Sequence, residues 1–365
     1  MKVSIITFHN WFNYGSALQS FATQEKFKEF CDDVELIDYI MPEHFMSKLV
    51  KRRFESSFVK GCIFLISALR MYYVFRKFKK MYLKTTSKLY TKIDDFNDFP
   101  LHDGLYCTGS DQVWNTEHNK GVDLPLYLSF VPSGKRKFAY AASIGMNKIP
   151  HEDIIKSKPF IDQYEKITVR EESAVRVLNE QYEYKNVTQI VDPTLAMPPA
   201  FWRKFSSNSK IKKKYILMYL LSNTKGIDKY AYDLSQKTGY SVIGFCTAFE
   251  QMRNFGKSVV LPDIFDFITL IDNAEYLLTD SFHGTAFAMN LNTHPLVVYP
   301  AKYSSRLSSF LALINSEQCV VKNFDDIDVL NRPVDFDHVN RVLDGERERV
   351  NKFLMGIFHA EERNI

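Results

Sequence analysis

The chain has 365 residues, of which 45% are hydrophobic and 25% charged, and its net charge is +4. This composition is that of a globular protein and excludes a disordered or fibrous chain, and the length fits two domains of about 150 to 200 residues each. The five cysteines form no CxxC pair, which argues against a disulfide framework and a structural zinc site.

The positive charge is concentrated in one segment. Residues 48–92 contain thirteen Lys or Arg and one acidic residue, Glu55, so this segment carries +12 and the remainder −8. Such asymmetry indicates an acidic partner for the segment, either nucleic acid or an anionic membrane surface. The longest strongly apolar run, residues 62–69, is much shorter than the roughly 20 residues that span a bilayer. We therefore expect a cytoplasmic protein, and the amino terminus predicts a first strand and not a signal peptide.

Short apolar runs alternate with helical patterns along the chain. In order, the predicted strands are VSIITF, VELIDY, GLYCTGS, FAYAASIG, KITVR and TQIVDPTL, then YILMYLL, SVIGF, AEYLLTD and HPLVVYP. Helices are predicted near 16–30, from 171, near 228–238, near 263–272, from 285 and over 337–361. This alternation predicts parallel sheets covered by helices on both faces. The expected fold class is α/β, with two Rossmann-like doubly wound domains facing each other across a cleft.

A change in composition marks the expected domain boundary. The stretch PPAFWRKFSSNSKIKKK is polar and contains proline, as is typical of a connector. The predicted domains are residues 1–198, with a basic helical insert at about 45–95, and residues 210–335. Residues 336–365 are predicted to form a helix that packs back on the first domain.

Polar loops follow two strands of the predicted first domain. Asn13 and Tyr14 lie in a turn after the first strand, with Ser16 a possible helix cap; this loop either lines a cleft or is only a capped turn. In GSDQVWN, Asp111 could act as a base toward a hydroxyl, or could cap a helix, and Gln112 offers a second polar group. Trp114 could stack on a sugar, although a buried tryptophan is more common.

Two arginines are candidate anion-binding groups. Arg170 ends the strand KITVR just before a helix, where a guanidinium can bind a carboxylate or phosphate, or can pair with Glu171 or Glu172. Arg306, in SSRLSSFL, is either a further cation facing the same cleft or a solvated residue at a helix start.

The stretch DSFHGTAFA, residues 280–288, follows a predicted buried strand and precedes a helix. Open α/β sheets bind ligands at such strand-to-helix turns. Backbone N–H groups at a helix start favour anions, and the ordinary pKa of a histidine such as His283 is close to neutral pH. The pattern indicates acid–base chemistry on an anionic substrate. No GxGxxG, GxxxxGK[ST] or HExxH motif occurs, so dinucleotide binding, P-loop phosphoryl transfer and metal dependence are not expected.

Taken together, these motifs resemble the polysaccharide pyruvyl transferase family. The matching stretches, in the family's order from about residue 5 to 315, are NYGSALQ, GSDQVWN, YAASIG, ITVREESA, VDPTL, DSFHGTAFA and SSRLSSFL. Residues 43–99 carry no matching motif.

The resemblance implies a fold similar to GT-B glycosyltransferases and a transfer of the enolpyruvyl part of phosphoenolpyruvate to two hydroxyls of a sugar. The product is a cyclic pyruvate ketal on a precursor of a cell-surface polysaccharide, such as a capsule or exopolysaccharide, and phosphate is released. The donor is a substrate, and no cofactor or metal is implied. The alternatives are a GT-B glycosyltransferase that uses a nucleotide sugar, and a non-catalytic scaffold.

The resemblance also assigns residues. The family's essential histidine corresponds to His283, and its phosphoenolpyruvate-binding arginine corresponds to Arg170. Many members have an arginine two residues before that histidine, where this chain has Ser281. Either Arg306 or a lysine replaces that charge, or Ser281 and the helix N–H groups, beside Phe282 and Gly284, hold the anion. Asp111 is the expected acceptor-side base.

The basic insert mixes aromatic and aliphatic residues with lysine and arginine, which is typical of an interfacial helix or helical hairpin. Each basic residue contributes roughly 1 kcal/mol on anionic lipid. We expect residues 48–92 to attach the protein peripherally to the inner face of the cell membrane, near a lipid-linked oligosaccharide acceptor. The alternative is a pair of ordinary surface helices. Nucleic acid is not expected, since the rest of the chain is acidic and no recognised module is present.

Overall fold

The structure is a computed structural model that describes residues 1–207, 211–222, 224–301 and 304–359. The chain divides into two compact units. The first unit comprises Met1–Phe45, Lys79–Met197 and Asp344–Ile365, and the second comprises Met46–Phe78 and Pro198–Leu343. The sequence interpretation placed the whole basic insert in the first domain, whereas most of it, Met46–Phe78, belongs to the second unit.

Each unit contains one parallel sheet. The six strands of the first unit are β1 (Lys2–Ile6), β2 (Asp33–Leu36), β3 (Leu105–Thr108), β4 (Lys137–Ala142), β5 (Lys166–Val169) and β6 (Val187–Gln189). The five strands of the second unit are β7 (Tyr215–Tyr219), β8 (Ser241–Cys246), β9 (Lys257–Val260), β10 (Tyr276–Thr279) and β11 (His294–Val297). All strand pairs are parallel. The strands β3 and β4 are buried along their whole length, as expected for a sheet that helices cover on both faces.

Helices connect the strands. They are α1 (Tyr14–Lys28), α2 (Met46–Ser56), α3 (Phe58–Tyr82), α4 (Asp94–Asp98), α5 (Thr116–Asn119), α6 (His151–Ile161), α7 (Glu172–Glu180), α8 (Pro193–Ala196), α9 (Pro199–Arg203), α10 (Ile227–Thr238), α11 (Asp266–Asp272), α12 (Phe282–Leu291), α13 (Ser305–Leu313) and α14 (Phe336–Phe358). The predicted class of two doubly wound α/β units is confirmed.

The strand order locates the switch point of each sheet. The first sheet has the order β2-β1-β3-β4-β5-β6, so the chain moves from β1 to β2 and then crosses to β3 on the other side of β1. The second has the order β11-β10-β7-β8-β9, so the chain leaves β7 toward β8 and β9 and later returns to β10 on the other side. The carboxyl ends of β1 and β3, and those of β7 and β10, therefore border the crevices where such sheets bind ligands.

The helix α3 packs on the second unit through one face. Ser67 Oγ accepts a hydrogen bond from the Phe249 N–H at 2.9 Å, and Arg70 Nε donates to the carbonyl oxygen of Leu261 at 3.1 Å. In the part of the chain that the structure describes, α3 is the one helix long and apolar enough to cross a membrane, by length and composition only, and 39% of its most apolar window is buried. The expectation that no stretch has this length was wrong, because it counted only uninterrupted apolar residues.

The last helix extends from the second unit into the first. In its first-unit part, Arg347 Nε donates to the carbonyl oxygen of Leu195 at 3.1 Å, and Arg349 Nη2 donates to that of Gln189 at 2.9 Å. The ring of Phe358 lies 5.5 Å from that of Phe27. Of the predicted C-terminal segment, residues 360–365 lie outside the described residues.

Candidate functional site

The DSFHG stretch lies at the switch point of the second sheet. The strand β10 ends at Thr279, and both carboxylate oxygens of Asp280 accept backbone hydrogen bonds from the loop after β7, from Leu221 N–H at 2.7 Å and Ser222 N–H at 2.9 Å. Asp280 therefore ties the carboxyl ends of β10 and β7 together. No role was predicted for Asp280.

Ser281 is the N-cap of α12, and its Oγ accepts a hydrogen bond from the Gly284 N–H at 3.2 Å. The helix thus begins at Phe282, three residues earlier than predicted. Because Ser281 is only 2% exposed, an arginine in its place would lose the cap and bury a charge. A serine therefore suits this position in the present chain.

His283 is the second residue of α12 and is 7% exposed. It was predicted to lie in the turn before the helix and instead lies in the first helical turn. Its ring is 5.4 Å from that of Phe282, which also contacts Phe310 at 6.0 Å. The half-buried guanidinium of Arg306 lies over the Phe282 ring at 5.7 Å. The structure thus brings together the five residues predicted in the second domain, namely Ser281, Phe282, His283, Gly284 and Arg306.

Gly284 allows close packing at the start of α12. A Cβ atom there would lie 2.7 Å from Thr279 Oγ1 and 3.2 Å from Tyr219 Cδ1. Since real Cβ atoms do not approach other atoms this closely, only glycine fits between the helix and the two strands at this point.

In the first unit, Asn13 is the N-cap of α1. Its side chain accepts a hydrogen bond from the Ser16 N–H at 3.1 Å, and Tyr14 is the first residue of the helix. The prediction that Ser16 caps this helix was wrong, because Asn13 has the extended backbone of an N-cap and Ser16 is already helical. The Ser16 hydroxyl instead donates to Asp111 Oδ2 at 2.5 Å. This hydrogen bond joins the carboxyl ends of β1 and β3 at the switch point.

The carboxylate of Asp111 also accepts a backbone hydrogen bond and lies near a guanidinium. The Gln112 N–H donates to its Oδ1 at 2.8 Å, and Arg170 Nη2 lies 3.5 Å from the same oxygen. Its backbone has φ of 81°, a left-handed conformation that costs energy for a residue with a side chain and is enriched at functional sites. Asp111 does not cap a helix, since Asn115 caps α5.

The neighbours of Asp111 are packed inside the unit. Gln112 Oε1 accepts a hydrogen bond from Asn115 Nδ2 at 2.7 Å. Trp114 is only 1% exposed, so it contributes to the core and cannot offer a flat face to a sugar.

Arg170 is part of a buried ion pair. Its Nη1 lies 2.6 Å from Asp192 Oδ2, and the two side chains are 1% and 0% exposed. Burial alone would lower the pKa of Arg170, but the carboxylates of Asp192 and Asp111 raise it above its ordinary value. Arg170 therefore pairs with two aspartates that the sequence did not indicate as its partners. Glu171 Oε1 accepts hydrogen bonds from Ser143, Ile144 and Gly145.

Two buried residues at this edge, Asp192 and His9, were not predicted as site residues. Asp192 also accepts hydrogen bonds from the N–H and hydroxyl of Thr194 and from Ser110. The Asp-Pro-Thr pattern in the sequence could have indicated Asp192, because it is typical of a helix start with proline at its first position. His9 follows β1, and its Nε2 lies 3.4 Å from Asp38 Oδ1. Burial lowers the pKa of His9.

Of the ten predicted site residues, the structure groups five in each unit. Asn13, Tyr14, Asp111, Gln112 and Arg170 lie at the carboxyl ends of β1, β3 and β5 in the first unit, and the DSFHG residues with Arg306 lie in the second. Among the described residues, no group of three or more His, Cys, Asp or Glu side chains could hold a metal ion.

Two doubly wound parallel sheets, one in each unit, define a GT-B-like fold. Solved structures support this fold over nearly the whole chain. A Listeria monocytogenes protein assigned as a UDP-N-acetylglucosamine 2-epimerase is 10% identical with a TM-score of 0.58, covering 99% of this chain and 97% of that one. UDP-N-acetylglucosamine 2-epimerase from Rickettsia bellii is 11% identical with a TM-score of 0.53, covering 100% and 98%.

The chain belongs to the polysaccharide pyruvyl transferase family, whose sequence profile matches residues 13–301. This match includes Asn13, Asp111, Arg170 and His283. The predicted family and the prediction of an enzyme are confirmed. A comparison with curated proteins finds no significant match.

Proposed function

We propose that this enzyme transfers the enolpyruvyl group of phosphoenolpyruvate to a sugar of a cell-surface polysaccharide precursor, forming a cyclic pyruvate ketal. The observation that carries the proposal is the position of His283, in the first turn of α12 at the switch point of the second sheet. A titratable imidazole beside a helix amino terminus suits proton transfer to an anionic substrate.

The proposed reaction balances without a redox partner. A proton adds to the methylene carbon of phosphoenolpyruvate, and one sugar hydroxyl forms a bond to the adjacent carbon as it loses its proton. The bond from that carbon to the phosphate oxygen then breaks, and the second hydroxyl attacks as it loses its proton. One of the two hydroxyl protons replaces the proton used at the methylene carbon, and the other leaves with the phosphate.

We assign His283 as the acid that delivers the proton or assists phosphate departure. Arg306 and the amino terminus of α12 are the proposed holders of the anionic groups, since Arg306 is half-buried beside Phe282. Ser281 and Gly284 shape this helix start, while Asn13, Tyr14 and Gln112 are proposed to bind the acceptor.

The roles implied for Asp111 and Arg170 stay predictions. Asp111 would act as the acceptor-side base, although both of its oxygens already contact protein donors. Arg170 would clamp the donor only if it exchanged Asp192 or Asp111 for the substrate's carboxylate. Otherwise, its charge positions Asp111.

We propose that the acceptor is a lipid-linked oligosaccharide at the inner face of the cell membrane, in capsule or exopolysaccharide synthesis. A cytoplasmic enzyme attached peripherally to an anionic membrane would meet such an acceptor. The enrichment of basic residues in 48–92 supports this placement.

The test is incubation with phosphoenolpyruvate and a panel of lipid-linked and aryl glycosides, with phosphate release and the mass of the ketal product as readouts. Loss of a general acid typically reduces the rate by about 10² to 10⁴, and we expect a loss of this size for His283→Ala. The matched control is His151→Ala, which changes an exposed histidine at the start of α6 and should retain the wild-type rate. Absence of product from every acceptor, or an unchanged rate for His283→Ala, would reject the proposal.

The second candidate is a glycosyltransferase that uses a nucleotide sugar. UDP-N-acetylglucosamine 2-epimerase from Neisseria meningitidis has a similar fold, and its structure contains UDP-N-acetylglucosamine. The two chains are 10% identical with a TM-score of 0.52, and the match covers 97% of this chain and 100% of that one. Thermal stabilisation by nucleoside diphosphates and none by phosphoenolpyruvate would favour this candidate.

A further inference from the structure

The helix α3 carries two apolar ridges, and among the residues that the structure describes, one of them packs inside the protein while the other is exposed. The inner ridge faces the second unit and consists of buried residues, namely Gly61, Phe64, Ala68, Met71, Phe75 and Phe78. We define the outer ridge as Val59, Cys62, Ile66, Leu69 and Tyr73. Its residues follow each other at intervals of three and four, so they form one stripe along the helix.

The outer ridge is exposed to solvent. Val59 and Leu69 are each 66% exposed, Ile66 60% and Tyr73 56%. Further exposed apolar side chains widen the stripe on both sides, namely Phe58, Ile63, Leu65 and Tyr72. An apolar surface that is contiguous over more than three turns of a helix is uncommon on a protein that contacts only water, and it indicates a binding surface.

Positive charge surrounds this stripe. Lys51, Arg52, Lys60 and Arg76 are exposed on α2 and α3, and Glu55 is the only acidic residue of these two helices. A second copy of the chain would bring two strongly positive segments together, which like-charge repulsion disfavours. An anionic lipid surface complements both the charge and the apolar stripe.

We propose that the outer ridge of α3, with the basic residues around it, docks the protein on an anionic lipid bilayer. The helix would lie in the interface and not cross the bilayer. Crossing would require the inner ridge to leave the second unit and break the contacts of Ser67 and Arg70 with Phe249 and Leu261. The two ridges together explain why α3 is apolar enough to resemble a spanning helix.

The test is flotation of the full-length protein with vesicles of phosphatidylcholine mixed with phosphatidylglycerol, compared with vesicles of phosphatidylcholine alone. We expect binding to the anionic vesicles that weakens as salt is added. The variant Ile66→Glu/Leu69→Glu should reduce the bound fraction about tenfold or more, because it places charge on the surface that enters the lipid.

The matched control is Ile155→Glu on α6, since Ile155 is 62% exposed and Ile66 is 60% exposed. It should bind vesicles like the wild type. Lys51→Glu/Lys60→Glu should weaken binding, whereas Lys156→Glu, on the exposed surface of α6, should not. Unchanged far-UV circular dichroism and Tm would show that each variant is folded.

Equal flotation of the wild type and of Ile66→Glu/Leu69→Glu would overturn the proposal, as would no flotation with anionic vesicles. If the wild type self-associates in sedimentation equilibrium and this variant does not, while neither binds vesicles, the ridge is an interface between copies and the proposal is also wrong.

This inference rests on the proposed function only in placing the enzyme near a lipid-linked acceptor. Phosphate release with a soluble acceptor, measured on the same variants, separates the two. Phosphate release without vesicle binding would reject the docking surface and leave the chemistry standing. Vesicle binding without phosphate release would reject the chemistry and leave the docking surface standing.

Discussion

Arg170 Nη1 and Asp192 Oδ2 are 2.6 Å apart at the carboxyl edge of the first sheet, and neither side chain contacts solvent appreciably. Asp192 also holds the start of α8 through Thr194 and accepts a hydrogen bond from Ser110. Arg170 reaches from Asp192 toward Asp111. The pair therefore connects the loops that follow β3, β5 and β6.

Removing one partner of this pair should strongly destabilise the protein. Asp192→Ala leaves Arg170 buried with one more distant carboxylate, and breaking a buried pair in this way costs about 3 to 5 kcal/mol. The measurement is the free energy of unfolding from urea titration, followed by tryptophan fluorescence.

The control for this prediction is the exposed pair of Lys135 and Asp103, whose N···O distance is 2.6 Å. Asp103→Ala should leave the free energy of unfolding nearly unchanged, because water screens exposed pairs. Similar losses for the two variants would contradict the prediction.

Gly284 should not tolerate even a methyl group. Gly284→Ala would force a Cβ atom against Thr279 Oγ1, and such overpacking typically costs about 1 to 3 kcal/mol. We expect a lower Tm and loss of phosphate release, since the start of α12 and with it His283 must shift. The readouts are a thermal melt and the phosphoenolpyruvate assay.

Gly345, an exposed glycine inside α14, offers the matched comparison. A Cβ atom there meets nothing within 4 Å, so Gly345→Ala should stabilise the protein by about 0.5 to 1 kcal/mol through helix propensity. If both substitutions stabilise the protein, the prediction that a methyl group does not fit at Gly284 is wrong.

His294 should make the stability depend on pH. Burial lowers its pKa to about 4 from an ordinary value of about 6.5. As the pH falls from about 6.5 to about 4, the unfolded chain binds a proton at this position and the folded protein does not, so the free energy of unfolding decreases. The loss amounts to at most about 3 kcal/mol and is complete below pH about 4.

We expect His294→Gln to remove this part of the acid sensitivity, measured by urea titrations across the same pH range. His151→Gln, on the exposed surface, serves as the control. An unchanged difference in stability between the two ends of this pH range in His294→Gln would contradict the assignment.

The positions of the site motifs and of ten of the eleven strands could be predicted from the sequence; β9 (Lys257–Val260) was not predicted. Continuous apolar runs indicated buried parallel strands, and polar residues directly after them indicated the ligand-binding edges. For this reason Asp111, Arg170 and His283 were expected at strand ends, where the structure has them. Helix starts were less predictable, because Asn13, and not Ser16, has the backbone of an N-cap.

The partners of these residues could not be predicted. Arg170 and Asp192 are 22 residues apart, and their contact depends on how the loops after β5 and β6 fold over the sheet edge. The apolar content of α3 was compatible with an interfacial helix and with an ordinary surface helix, because composition does not show which face of a helix is packed.

The sequence alone determined the family, the α/β class and the residues at the strand ends, because these depend on local order and on the alternation of strands and helices. Only the tertiary structure decided that Arg170 is neutralised by Asp192 and Asp111, and that α3 buries one ridge and exposes another. Those outcomes depend on which residues, distant in the chain, occupy the space around each side chain.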